Sequence, residues 1–210
     1  MTRAERFFSN EEKKKIAAAV QDAESRTAGE IAIVVVDRSD EYREAATLGS
    51  MLLGAGIALV AAEAFFDASL HHFILIALAA SLVLRLLFRA APRLSTAFIG
   101  RRRIEEAVRE RAVRAFYEKG LYKTRENTGV LFFLSLLERK VWVLADKGIY
   151  EKIDQSSLQC YAAMVSKGIK DGNGAEALCS AIAEVGGILA QNFPPRADDV
   201  DELPNEPLSD

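Results

Sequence analysis

The sequence predicts an α/β protein: a mixed sheet in a three-layer α/β/α sandwich, interrupted by an inserted transmembrane helical hairpin. Three observations carry this. Glu30 to Asp37 (EIAIVVVD) is a continuous β-branched apolar run, the pattern of a strand covered on both faces. Gly129 to Leu137 (GVLFFLSLL) and Lys140 to Leu144 (KVWVL) are also strand-like, and the two residues between them leave room only for a tight turn and an antiparallel pair. Between the first strand and these two lie a pair of nearly uncharged stretches of about twenty residues, each long enough to cross a hydrocarbon core of roughly 30 Å.

The elements follow in order. Ser9 with Glu12 forms a capping box, and Ile16, Val20 and Ala23 mark the apolar stripe of a first helix ending near Gly29. The first strand comes next. Thr47–Phe66 carries one charge, Glu63, and Leu70–Phe88 carries one, Arg85; neither run shows the polar stripe of a helix in a soluble core. Ser50, Gly54, Ala58 and Ala62 repeat at four-residue spacing and predict a close-packed face opposite Ala77 and Ser81. Glu63, Asp67, His71 and His72 gather at the turn, where an ordinary wet interface and a weak cation or proton site are both open readings. Beyond the hairpin, Ile104, Val108, Ala112 and Phe116 predict a helix over Arg101 to Lys119, stopped by Gly120. The first strand, this helix and the second strand make a βαβ unit with parallel strands. Two more helices are expected, about Gln155 to Lys167 and Ala175 to Asn192, closed by Pro194 and Pro195.

The domain boundaries are therefore residues 1–40 for the first part of the α/β domain, 41–98 for the hairpin insertion (helices about 47–66 and 70–88), and 99–195 for the second part. An acidic tail, 196–210, is expected to be disordered. The chain has 210 residues, half of them hydrophobic, a net charge of −3 and a mean hydropathy of +0.06, so the near-neutral average combines an ordinary domain with a very apolar insert. That charge excludes a strongly basic protein that coats nucleic acid. Two Cys and two His exclude a disulfide framework and a zinc finger. Arg38 and Arg43 precede the hairpin and Arg89, Arg93, Arg101, Arg102 and Arg103 follow it, while the turn has no Lys or Arg. The positive-inside rule then predicts a two-pass protein of the inner (cytoplasmic) membrane with the domain and both termini in the cytoplasm. The N-terminal MTRAERFFSNEEKKK has no apolar core of a cleavable signal.

FFSNEEKKKI, TAGEIAIVVVD, GLYKTRENTGVLFFLSLLERKVWVLADKGI and ILAQNFP together resemble the TPM domain family, found in a thylakoid acid phosphatase and in many bacterial membrane proteins. The block from Thr124 to Ile149 is the most specific part. The resemblance implies an α/β/α sandwich, divalent-cation binding in some members, and acid phosphatase activity that is not universal in the family.

Topology points to one site. With the second strand parallel to the first and the third running back, Glu30, Arg125, Asn127, Thr128 and Asp146 converge on one pole, while Asp37 goes to the other. Glu30, Asn127 and Asp146 are the candidate ligands of a hard, oxygen-loving ion, Ca²⁺ or Mg²⁺, with Arg125 placed to hold a phosphate or carboxylate. The structural reading of the same residues is a Glu30–Arg125 salt bridge with Asp146 capping a turn. Neither Cys160 nor Cys179 has an Arg six residues on, and no paired-Asp nucleophile motif occurs, so covalent phosphatase chemistry has no candidate. A metal-activated water is the remaining hydrolytic route. KDGNG at Lys170 to Gly174 resembles the middle of a calcium loop, but Ile169 and Ser180 stand at its first and last ligand positions. No phosphate-cradling Gly motif occurs, which leaves nucleotides and organic cofactors without support. The expected function is a membrane module that binds a cation or a protein partner, or a second copy through its hairpin, as an accessory or assembly factor without a reaction of its own. The alternative is a metal-dependent acid phosphatase of low activity.

Overall fold

The computed structural model describes residues 2–67, 69–91, 99–124, 127–195 and 206–209. Two compact units divide the chain: residues 1–39 with 106–210, and residues 40–105.

The first unit is a mixed α/β structure. Helix α1 (Asn10–Glu24) opens on the expected capping box, in which Ser9 N–H donates to Glu12 Oε2 (2.7 Å) and Glu12 N–H to Ser9 Oγ (3.3 Å). It stops five residues before Gly29. Ser25 Oγ turns back to Asp22 O, and Thr27 Oγ1 donates to Phe193 O at 2.7 Å, tying the chain to the end of a distant helix. The hydrogen bond from Ser9 holds the Glu12 carboxyl below the usual range. Its stabilisation is therefore present above the ordinary Glu pKa and lost as pH falls through the lowered value. Ser9→Ala should cost about 1 kcal/mol in a urea titration read by Trp142 fluorescence, and Glu12→Gln should flatten the acid side of the stability profile.

Strand β1 (Glu30–Val36) is buried along its whole length, as its unbroken apolar run predicts. It pairs in parallel with β2 (Gly129–Ser135), Glu30 opposite Gly129 and Val36 opposite Ser135. Strand β2 pairs antiparallel with β3 (Lys140–Ala145). The turn between them has four residues, 136–139, where the sequence predicts two, because Leu136 and Leu137 donate their N–H groups to Val36 and Asp37 before the chain reverses. Arg139 takes the left-handed conformation at φ 52°.

Opposite faces of the strands carry separate apolar clusters. Ile31, Ile33, Val35, Val130, Phe132, Leu134, Val141 and Val143 share one with α1, α6 (Gln155–Asp171) and α7 (Gly174–Asn192). Ala32, Val34, Val36, Leu131 and Phe133 share the other with Val108, Ala112, Ala115 and Phe116 of α4 (Arg101–Glu118). Helix α6 runs one turn further than expected, to the left-handed Gly172 (φ 84°) of the KDGNG turn. Two elements were not anticipated. Asp146 starts a short helix, α5 (Lys147–Tyr150), and Leu208–Ser209 forms a strand, β4, parallel to β1. The sheet order is β3-β2-β1-β4. Leu208 and Ser209 thus depart from the expectation of a disordered tail; residues 196–205 lie outside the described residues.

The second unit contains α2 (Arg43–Phe65) and α3 (Leu70–Ala90), each longer than expected. Both are long and apolar enough to cross a membrane. Ser50, Gly54, Ala58 and Ala62 are the buried small face of α2, joined by Gly49. A side chain at Gly54 would come within 2.8 Å of Ser81 N, so the two helices touch there through backbone. Arg103 ties the ends of this unit together, pairing with Asp40 (2.6 Å) and Glu44 (3.2 Å) and lying 5.9 Å from the Tyr42 ring centre.

Candidate functional site

The strand register determines what can meet at the pole where β1 and β2 begin and β3 ends. Along β1 and β2 the residues alternate between the two apolar clusters, and the same alternation runs through β3. By that count Glu30, Gly129 and Asp146 share one face, the face covered by α4. They also share one rung. Glu30 is opposite Gly129, and Asp146 N–H donates to Gly129 O at 2.9 Å. Two strand spacings put the Glu30 and Asp146 backbones roughly 10 Å apart, with a glycine between them.

That glycine is required by its neighbour. The 3₁₀ turn Leu121–Lys123 follows the left-handed Gly120 (φ 80°) and is laid over β2, so that a side chain at Gly129 would come 2.7 Å from Leu121 O. The turn is fixed by hydroxyls: Thr124 Oγ1 donates to Leu121 O (3.3 Å) and accepts from Thr128 N–H (3.0 Å), while Thr128 Oγ1 donates to Ala28 O (2.9 Å). A backbone carbonyl therefore sits between the two carboxylate-bearing strands.

Asp146 divides its two oxygens. Oδ1 accepts from Lys147 N–H at 2.7 Å and caps α5, the structural role open to it from sequence. Oδ2 is buried and accepts no hydrogen bond among the described residues. Glu30 is 7% exposed. Asn127 is exposed and left-handed at φ 55°, and its N–H donates to Thr124 O (3.1 Å). Arg125, expected to bind an anion or to pair with Glu30, lies outside the described residues. Asp37 is at the other pole as expected, accepting from the N–H groups of Arg3 and Ala4.

Among the described residues, no group of three His, Cys, Asp or Glu side chains comes together in a metal-holding arrangement. The groups near that rung are two carboxylates and a carbonyl, all oxygen, a chemistry suited to Ca²⁺ or Mg²⁺ rather than to a soft metal. Sequence reasoning missed the Leu121 carbonyl. Its signal was a glycine opening an otherwise bulky strand.

A cavity of about 550 Å³ is lined by Arg109, Val113, Trp142, Leu144, Tyr150, Asp154 and Gln155. Trp142 Nε1 is buried without a partner among the described residues. Cys160 is exposed, and burial pushes the Cys179 thiol up.

Residues 97–188 match the family model of the TPM domain. Over that segment the chain is similar to the TPM domain. The matched segment takes in α4, β2, β3, α5, α6 and most of α7, and with them Asn127 and Asp146; α1, β1 and Glu30 precede it. No curated protein matches the chain. Its fold is that of the BA42 protein from the psychrophilic bacterium Bizionia argentinensis, solved by NMR, with a TM-score of 0.62 and 22% sequence identity over 100% of both chains. The likeness to BA42 is one of fold and takes in β1 and Glu30, which precede the matched segment.

Proposed function

We propose that this protein is a membrane-anchored TPM-domain module that binds a divalent cation or a protein partner and serves as an accessory or assembly factor without a reaction of its own. In this reading the α/β unit is a three-layer sandwich on the cytoplasmic side of the inner membrane, and α2 and α3 are its transmembrane hairpin.

One observation carries the anchoring. The helix pair is arranged inside out relative to a soluble core: Gly49, Ser50, Gly54, Ala58 and Ala62 are buried, while Leu52 is 75% exposed, Phe65 80% and Leu78 66%. Leu48, Leu59, Val60, Leu70, Leu75 and Val83 are exposed to a similar degree. An apolar surface of this extent is unfavourable in water and favourable in lipid, where helices associate through small residues. The protein should stay with the membrane fraction through alkaline carbonate washing. Release into the supernatant would end the anchoring reading. The Arg residues flanking both helices support the cytoplasmic orientation, and a protease that reached the domain in intact spheroplasts would reverse it.

The cation reading rests on the buried Asp146 Oδ2, on the rung it shares with Glu30, and on the Leu121 carbonyl over Gly129; Asn127 and Arg125 are its further expected contributors. A bound cation would neutralise two carboxylates that share one face. Calorimetric titration of the detergent-solubilised protein with Ca²⁺ and Mg²⁺ should give binding heat, and Asp146→Asn, which preserves the helix cap, should weaken binding at least tenfold. Absence of heat from the unsubstituted protein would refute the site. The phosphatase alternative is separated by a generic aryl phosphate: release of phosphate that requires both the metal and Asp146 would establish it.

A further inference from the structure

The sheet has two edges, and they are closed by different means. At the β3 edge side chains do it: Ala145 N–H donates to Tyr150 Oη (3.2 Å), and Gln159 Nε2 donates to Val143 O (3.3 Å). At the β1 edge Glu24 Oε1 accepts from Ile31 N–H at 2.8 Å. Glu30 N–H points to Thr128 O and Val36 O accepts from Leu136 N–H, so the even residues of β1 face β2. Ile31, Ile33 and Val35 therefore turn outward. Past Ile31, the edge is covered by chain from far along the sequence, with Leu208 opposite Val34 and Ser209 opposite Val35. Leu208 packs against the cluster that contains Ala32, Val34 and Phe133. Pro207, which has no N–H to offer a ladder, stands just before the pairing.

We propose that the β1 edge is a strand-acceptor site, that the 206–209 segment is its ligand, and that a second copy of this chain supplies the same segment in exchange. The sequence seated on the edge is the chain's own, so another copy carries the complementary ligand by construction. The grip is small: two parallel rungs and one aliphatic anchor, against the five or six residues of an ordinary strand. Such a segment is held mainly by its tether, and a tethered ligand exchanges when a competitor is concentrated nearby. The tether is long enough. Ala28 N–H donates to Phe193 O at 3.0 Å, placing the end of α7 beside the start of β1. Val34 lies six residues further on, about 20 Å along the strand. The ten residues between Pro195 and Glu206 extend to roughly 35 Å, enough to reach the chain's own edge with slack and a neighbouring edge as well. Confinement to a bilayer, which rests on the proposed function above, raises the concentration of neighbours; the acceptor site itself does not depend on it.

A fluorescent peptide of residues 201–210 tests the acceptor in detergent, against the full chain and against a chain ending at Pro195. The shortened chain should bind the peptide, the full chain should bind it at least tenfold more weakly because its own segment competes, and a Leu208→Asp peptide should not bind. In liposomes, dye-labelled full-length copies should transfer energy to shortened copies, and full-length Leu208→Asp copies should not. No peptide binding by a shortened chain with native Trp142 emission, or equal binding by both chains, overturns the acceptor; energy transfer indifferent to Leu208→Asp overturns the exchange. Should the shortened chain not fold, full-length Leu208→Asp takes its place as acceptor, with faster amide exchange at Ile33 and Val35 expected and unchanged exchange counting against the proposal.

Discussion

Gly129→Val should lower the stability of the α/β unit by about 3 kcal/mol and abolish the proposed binding of Ca²⁺ or Mg²⁺ with it. The new Cβ would lie 2.7 Å from Leu121 O and 3.0 Å from Leu121 Cβ, and a β-branched residue adds two methyls to that collision. A backbone carbonyl cannot rotate away as a side-chain end does, so the 121–123 turn must lift or β2 must move. Lifting the turn takes the carbonyl away from Asp146 and Glu30; moving β2 breaks the rung that aligns them. Trp142, the single tryptophan, lies on β3 next to β2 and reports the loss directly in a urea titration. A variant with an unchanged urea midpoint would mean that the turn does not sit on Gly129.

Gly54→Leu should act on the other unit alone. A Cβ added at Gly54 would lie 2.8 Å from Ser81 N, which leaves no room for a side chain, and overpacking of this kind costs about 1–3 kcal/mol. Because Gly54 is level with Ser81 in a pair of consecutive, mutually packed helices, Leu48 is level with Leu87 by the same count. Both are exposed, which makes them suitable for a pyrene pair. Excimer emission should fall several-fold in Gly54→Leu, while the Trp142 urea midpoint stays where it is. Retained excimer emission would show that α2 and α3 do not rely on that close approach.

The strands were legible because their causes are local. Seven buried residues in a row announce β1, and the βαβ unit with a tight turn after β2 then gives the neighbours of β2, although that turn is two residues longer than expected. The capping box at Ser9 and Glu12 was legible for the same reason, since both partners lie within one turn. What the sequence concealed depends on distant partners. Helix α1 ends early because Thr27 is claimed by Phe193, and the β2–β3 turn is longer because β1 claims Leu136 and Leu137. The convergence of Glu30 and Asp146 followed from strand direction alone, but the carbonyl between them did not, since no periodicity reveals which turn will rest on a glycine. Asp146 has the capping role that its position allowed and more: one oxygen caps a helix, and the other is buried without a donor among the described residues.

The pairing of Glu30 with Gly129 also sets an order of events during synthesis. Ninety-nine residues separate the partners, and the whole of α2 and α3 lies between them. At about 5–20 residues per second, β1 waits roughly 5–20 s for its central neighbour. Over that interval a strand that is apolar from Ile31 to Val36 has no sheet to join, and α2 and α3 emerge before β2 does. The domain therefore cannot close ahead of its insert: the sheet is completed only after the whole of α2 and α3 has been made.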